Sequence, residues 1–465
     1  MPHRRWLALL VILAADVMDL LDGSVLNVAL PAIRADLGAG NTALQWISAG
    51  YTLAFAVVLI TGARLGDIHG RKRIFQIGLA AFVVASLLCA LAPSAGALVA
   101  TRLLQGAAAA IMMPQVLGII RTSFPPKEMA AAFGLVGPIM GLTAALGPAV
   151  GGILVDADLF GTGWRAVFLI NLPIGLIALA CTSRLVRESR APHPVRLDLV
   201  GMLLLSVAVA LVFHPLVQGT DFVRMAAALP VLGLFIAHQR RRKSSPLIEL
   251  TLFRKPAFSA GLLVSVLFFC AMSGFMLVLT LFLQLGLGYS AMRAGLTTIP
   301  WALGITLGAI LAAVLGERAG RPGLQVALLT CAAGAVALHF TTARYGTNVT
   351  SWQLVPALVL FGLGMGSVIG PLFGFILAGV DDHEIGSASG VLEANQQLAG
   401  AVGVAAVGSL FFHRIEVGSF TAAVQYTMIV IALLMAATAT LTFLLPRSAR
   451  DEDQLDELRA AQAGV

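Results

Sequence analysis

The chain has 465 residues, 58% of them hydrophobic and only 11% charged, with a net charge of +7 and a mean hydropathy of +0.92. It is too apolar and too long to be one soluble core, which leaves a polytopic membrane protein with no separate soluble domain. Cys89, Cys181, Cys270 and Cys331 each lie inside an apolar stretch without paired spacing, so neither a disulfide nor a metal site is expected. The excess of arginine over lysine and the abundant alanine fit a GC-rich bacterial genome.

Apolar segments of about 20 residues are predicted over 7–33, 43–63, 74–92, 96–120, 129–154, 166–183, 198–216, 223–239, 257–284, 292–315, 323–341, 352–377, 385–411 and 425–445. His3-Arg4-Arg5 ahead of the first imitates a signal peptide. The run that follows carries Asp16, Asp19 and Asp22 and offers no small-residue cleavage site, so it is expected to stay as a span. A cytoplasmic amino terminus and an even count of fourteen leave only Arg34, Arg165, Arg224, Arg293, Arg344 and Arg414 outside, with Arg102 within a span. The remaining basic residues then fall inside, as the positive-inside rule requires, so both termini are expected in the cytoplasm and the basicity reports orientation rather than nucleic-acid binding.

Span one places Asp16, Asp19 and Asp22 at i, i+3 and i+6, an arc of about 120° and a rise of about 9 Å on a helix. Asp16 and Asp19 lie near the middle of the hydrocarbon layer, where a charge costs at least ~2.5–3.5 kcal/mol. Carboxylates at that depth must face a polar cavity, pair with a cation or hold a proton; satisfaction by a neighbouring helix, with no transport role, is the bland alternative.

Between spans two and three the chain reads Leu65-Gly66-Asp67-Ile68-His69-Gly70-Arg71, and the pattern returns as Leu315-Gly316-Glu317-Arg318-Ala319-Gly320-Arg321. Two copies at one internal spacing, each interrupting apolar sequence, predict a duplicated membrane unit with tight turns between helices. The stretch from Gly62 to Arg73 resembles the loop signature of the major facilitator superfamily of secondary transporters. That resemblance implies two six-helix bundles, here 1–190 and 256–446. Residues 191–255 would insert two transmembrane helices and a basic cytoplasmic loop, Arg240-Arg241-Arg242-Lys243, and 447–465 would form a cytoplasmic tail. It also implies that Gly66, Asp67, Gly70 and Arg71, with Glu317 and Arg321 of the second copy, form a conformational gate. Asp67 is expected to meet a helix end or a basic partner across the interface between the bundles.

Further stretches carry the resemblance. Leu21-Asp22 through Asn27 to Pro31 is similar to the first-helix signature of the fourteen-span drug:H+ antiporter branch, with Asp22 on its acidic position. Arg102-Leu103-Leu104-Gln105-Gly106 resembles the fourth-helix signature, whose arginine is implicated in proton coupling; a snorkelling arginine near the outer interface is the alternative. Gly141 to Gly152, with Gly147, Pro148 and Gly151 between them, resembles the fifth-helix antiporter motif. Trp164 to Gly175 resembles the entrance to span six of the same branch. Span thirteen carries Glu393, Asn395, Gln396 and Gln397, a polar face well below the surface that serves either substrate or interhelical hydrogen bonds.

The expectation is an all-α polytopic membrane protein of the major facilitator fold, in a bacterial cytoplasmic membrane and monomeric, that is not an enzyme. It exchanges protons for a lipophilic or cationic drug-like molecule or natural product. Asp22, Asp19 and Arg102 are the proton-coupling candidates, and Asp16, Gln105, Glu393, Gln396 and Gln397 the cavity candidates. No metal and no cofactor are expected, the proton motive force supplying the drive. Export of an endogenous metabolite or lipid is the rival on the same fold; a membrane-embedded enzyme would need a catalytic constellation the sequence does not offer, and the intramembrane charges and both loop motifs argue against a non-transporting sensor or scaffold.

Overall fold

The computed structural model describes residues 2–123, 143, 147–158, 161–190, 197–218, 222–242, 247–315, 320–377, 380 and 385–447, and among these residues it is helical throughout, with no strand. In chain order the helices are α1 (Pro2–Leu37), α2 (Asn41–His69), α3 (Arg71–Ala90), α4 (Ala95–Ser123), α5 (Gly147–Asp156), α6 (Ala166–Leu169) and α7 (Asn171–Leu185). Then come α8 (Leu199–Gln218), α9 (Phe222–Ala226) and α10 (Ala228–Arg241). The last group is α11 (Pro256–Leu281), α12 (Ala291–Thr297), α13 (Ile299–Leu315), α14 (Gly320–Tyr345), α15 (Ser351–Leu377), α16 (Ile385–Glu416) and α17 (Phe420–Leu441).

Among the described residues, ten helices are long and apolar enough to cross a membrane, fewer than the fourteen expected. The shortfall has local causes. Three carboxylates interrupt α1, and the described part of span five is the short helix Gly147–Asp156, with 124–142 and 144–146 outside the described residues. Of the inserted pair, Leu199–Pro215 is short and α10 has 14 residues, which at 1.5 Å per residue falls below the ~30 Å of a hydrocarbon layer.

The packing repeats. In the first group α4 lies against α2 and α3, while α7 lies against α1 and α3; in the last group α15 lies against α13 and α14, and α17 against α11 and α14. The same neighbours recur because the same small residues permit the crossings. At the α13–α15 crossing a Cβ on Gly308 would stand 2.1 Å from the Leu363 carbonyl oxygen, and one on Gly366 would stand 1.9 Å from that of Ile305. At the α2–α4 crossing a Cβ on Gly62 would stand 2.1 Å from the Ala110 oxygen. Lipid is as apolar as leucine, so such helices gain little from burial and hold together by close backbone approach.

The inserted hairpin packs α8 against α10 and also against α2 and α16, one helix from each group. Its base is a polar clasp. The buried Asp198 carboxylate accepts from the Gly201 amide at 2.9 Å, Gln239 at 2.7 Å and His238 at 2.8 Å, and Arg242 donates to the Leu197 carbonyl at 2.8 Å. Phe213 then meets Trp46 of α2 edge-on, with ring centroids 4.6 Å apart.

The crossing geometry has a direct test. Gly366→Val should overpack α13 against α15 by about 1–3 kcal/mol and lower the melting temperature of the detergent-solubilised protein by several degrees. Gly370→Ala, where nothing lies within 4 Å of the new Cβ, should leave it unchanged. Equal melting temperatures for the two variants would mean that the crossing is looser than described.

Candidate functional site

A cation and an anion are buried together inside the first group. Arg102 of α4 is 1% exposed and Asp22 of α1 is 3% exposed, and the guanidinium Nη1 donates to the Asp22 carboxylate. Burying either charge alone costs several kcal/mol, so every remaining polar atom nearby is recruited. Arg102 also donates to Gln105 Oε1 at 2.6 Å and to the Ile47 carbonyl of α2 at 3.3 Å. Asp22 accepts from Gln105 Nε2 at 2.8 Å and from Asn171 of α7 at 2.9 Å. Gln105 and Asn171 both donate to Ser86 of α3, at 2.9 and 3.3 Å. Five helices therefore meet at one ion pair.

Gln105, a cavity candidate from sequence, is fully buried with its amide engaged in this network. Ser86 and Asn171 carry no sequence signal strong enough to give them a role, although Asn171 lies inside the span-six stretch singled out above. Tyr51 of α2 also escaped the sequence reading. Its ring lies under the Arg102 guanidinium, 4.4 Å from the centroid, and its hydroxyl donates to Asp19.

A second constellation adjoins the first. Asp16, buried on α1, and the half-buried Asp19 lie within electrostatic reach of each other and of Glu393 on α16. They meet because Ala394, the residue after Glu393, packs into the core formed by α1 to α4 and α7. Glu393 accepts from Gln397 at 3.2 Å. Among the described residues none of these three carboxylates forms an ion pair. Asp19, Glu393, Gln396 and Gln397 are partly exposed, whereas Asp16 is buried. Asn395 turns away and donates to Ser265 and to the Leu262 carbonyl of α11, at 3.2 and 3.3 Å.

The hydrogen bonds described between the two groups lie at the end where α1 finishes and α2 begins. Gln284 donates to the Val28 carbonyl at 2.8 Å, Gln45 to Ser409 at 3.3 Å, and the Met292 amide to the Asp156 carboxylate at 2.9 Å. The fifth-helix glycines make this approach possible. A Cβ on Gly152 would stand 2.4 Å from Met292 Cα, and Pro148 is so near α12 that a Cβ on Gly295 would stand 2.2 Å from its carbonyl oxygen. Gly147 and Gly151 face α1, against Ser24 and Val25. Gly141 lies outside the described residues. On the same end Trp164 and Arg165 donate to Asp36, at 2.9 and 2.7 Å, and hold its carboxyl below the usual carboxylate range.

At the opposite end sit the repeated loops. Asp67 pairs with Arg71 of its own loop at 2.8 Å, and among the described residues it has no ion-pair partner on the other group. Gly70 turns the chain at φ 108°, a conformation that favours glycine, and the exposed Glu188 accepts from the amides of Lys72 and Arg73 at 3.0 and 3.1 Å. A Cβ on Gly66 would collide with the side chain of Gln115 on α4, so the turn is pressed against its neighbour. The Arg71 amide donates to the Ser189 carbonyl at 2.9 Å, and the equivalent Arg321 amide donates to that of Arg447 at 3.1 Å. Each loop is thus tied to the chain just beyond the last helix of its own group. Glu317 lies outside the described residues.

Residues 12–404 match the family model of the Major Facilitator Superfamily. A probable actinorhodin transporter of Streptomyces coelicolor is 52% identical over 420 residues, which cover 88% of this chain and 73% of the relative. A puromycin resistance protein of Streptomyces alboniger is 37% identical over 416 residues, covering 88% of this chain and 82% of the relative. In architecture the chain resembles a bacterial homologue of the human lysosomal transporter Spinster, with a TM-score of 0.70 over 96% of this chain and 97% of that one at 17% identity, a likeness of fold alone. With a family match over most of its length and an all-helical fold of that kind, the protein belongs to the Major Facilitator Superfamily of membrane transporters and is not an enzyme.

Proposed function

We propose that the protein is a proton-coupled antiporter that exports a lipophilic, drug-like or antibiotic-like molecule across a bacterial cytoplasmic membrane. The names of its relatives, a probable actinorhodin transporter and a puromycin resistance protein, support the cargo class. The observation that carries the reading is the juxtaposition of three carboxylates without ion-pair partners among the described residues, Asp16 and Asp19 from one helix group and Glu393 from the other, beside a carboxylate, Asp22, that a buried arginine compensates. A group whose proton affinity changes as two bundles rock is what coupling requires. Carboxylates contributed by both bundles are such groups, because rocking changes their mutual repulsion.

In this proposal both termini are cytoplasmic, the chain crosses the membrane fourteen times as two six-helix bundles (1–190 and 256–446) with two inserted helices, and the monomer is the transporting unit. The end joined by Asp156, Gln45 and Gln284 is then the outer one, so the arrangement is closed outside and accessible from within. Asp19 and Asp16 release protons inward, and the negative cluster with Glu393, Gln396 and Gln397 draws in the cargo. After reorientation, protons from outside neutralise the cluster and displace it. Asp22 joins the exchange when Arg102 loosens its hold. The loops at Gly66–Arg71 and Glu317–Arg321 act as the inner gate, their Asp67–Arg71 pair waiting to be remade against the other bundle. The gradient is the only energy source, and no cofactor takes part.

Three outcomes check this. In proteoliposomes with an imposed pH gradient, Asp19→Asn should abolish uphill export of ethidium while downhill exchange stays within about 3-fold of wild type; uphill export at the wild-type rate overturns the coupling role. Glu393→Gln should weaken cationic cargo more than neutral analogues, since a carboxylate at low dielectric discriminates by charge, and equal losses would assign Glu393 to packing. Arg102→Leu should leave Asp22 buried and unpaired at a cost of about 3–5 kcal/mol, seen as lost yield and a lower melting temperature. The double variant Asp22→Asn with Arg102→Leu should recover most of that stability. Absence of recovery would show that the pair is not what the single variant breaks.

A further inference from the structure

Tyr51 is held at three points. Its backbone is pressed against α4 at Gly106, where an added Cβ would stand 2.2 Å from the Tyr51 carbonyl oxygen. Its ring lies under the Arg102 guanidinium, 4.4 Å away, and beside Phe55, 6.3 Å between centroids. Its hydroxyl donates to the Asp19 carboxylate. The side chain is 4% exposed. Among the described residues, Tyr51 therefore touches both the compensated site, through Arg102, and the uncompensated one, through Asp19.

We propose that Tyr51 is the positioning residue that couples the protonation state of Asp19 to the Arg102–Asp22 ion pair. The inference rests on the reading of Asp19 as a proton carrier. A phenol that donates to a carboxylate favours its ionised form. When Asp19 takes up a proton, that oxygen becomes a poorer acceptor and the hydroxyl loses its anchor. The ring is then free to shift against the guanidinium it supports, a contact of the cation–π kind. Arg102 holds Asp22 and Gln105 through the same Nη1, so a displaced guanidinium loosens the pair that joins α1 to α4. A protonation event on one face of α1 thereby reaches the ion pair a turn away with no other moving part. The ionisable groups around Asp19 are Asp16 and Asp22 on its own helix, Tyr51 on α2, Arg102 on α4 and Glu393 on α16. Of these, Tyr51 is the hydrogen-bond donor to Asp19.

The test uses the full-length protein in proteoliposomes, with ethidium as the transported probe and the pH dependence of gradient-driven uptake as the readout. Tyr51→Phe keeps the ring under Arg102 and the contact with Gly106 while removing the hydroxyl. Loss of one hydrogen bond to a charged group should move the midpoint of the pH profile to higher pH by about one unit, with the melting temperature close to wild type. Tyr51→Leu, which also removes the ring, should show the same displacement and in addition lower uphill export at least 10-fold. A Tyr51→Phe profile superimposable on wild type overturns the proposal. So does a fall in yield and melting temperature in both variants with no displacement of the profile, the mark of a purely structural tyrosine. Running Asp19→Asn alongside separates the two levels. If it abolishes uphill export while the Tyr51→Phe profile is unmoved, Tyr51 alone is misassigned; if it exports uphill like wild type, the Asp19 reading falls and the Tyr51 role falls with it.

Discussion

The architecture turns on a single buried ion pair. Arg102 and Asp22 are both almost wholly removed from solvent, in a setting where an unpartnered charge costs several kcal/mol. The consequence spreads outward through hydrogen bonds. Gln105 and Asn171 complete the carboxylate's acceptor sites, Ser86 receives their second donors, and the Ile47 carbonyl takes the guanidinium's remaining reach. Five helices are fixed relative to one another by this demand. With Asp22 paired to Arg102, the other two carboxylates of α1 have no ion-pair partner among the described residues, and Glu393 from the other group lies within electrostatic reach of both.

Around this centre the two groups are stiff within themselves and meet chiefly where α16 packs along α2, with α1 touching α11 and α12. Within a group, glycines let helices approach until backbone meets backbone, as Gly308 and Gly366 do between α13 and α15 and Gly62 does between α2 and α4. Between groups, the described hydrogen bonds cluster at one end, at Asp156, Gln45 and Gln284. Rigid bodies whose polar ties gather at one end rock more readily than they deform, since packed interiors move as units. The inserted α8 crosses that division, resting on α2 and α16 at once, and its Asp198 clasp braces it against α10.

The repeated loop shows what duplication preserves and what it abandons. In both copies the backbone amide of the arginine after the second glycine, Arg71 or Arg321, bonds to the chain beyond the last helix of its own group, at Ser189 or Arg447. Both turns use a glycine with positive φ, Gly70 and Gly320. The side chains diverge: Arg71 pairs with Asp67, whereas the Arg321 guanidinium donates to the Leu445 carbonyl at 3.2 Å. A backbone bond depends on the turn alone and so survives divergence, while a side-chain pairing depends on what the neighbouring helix end presents.

By itself the sequence determined the helical membrane character, the duplication and the family, because apolar runs of membrane length, a twice-used loop and the signatures around Asp22, Arg102 and Gly147–Gly152 are local patterns. It also drew attention to Asp16, Asp19 and Asp22, since carboxylates in an apolar run stand out at any register. It could not divide their labour. Which of the three meets Arg102 depends on how α1 rotates against α4, and Asp22 is the one that Asn171 of α7 and Gln105 of α4 also meet, both of them held by Ser86 of α3. Glu393 reaches Asp16 and Asp19 only because Ala394 docks α16 into the first group, and more than 370 residues separate them in the chain. Tyr51 was invisible for the same reason: an aromatic residue in an apolar span has no distinguishing pattern until the fold sets its hydroxyl on one charge and its ring on another. Local spacing encodes which residues are costly to bury, and only tertiary packing decides which of them compensate one another.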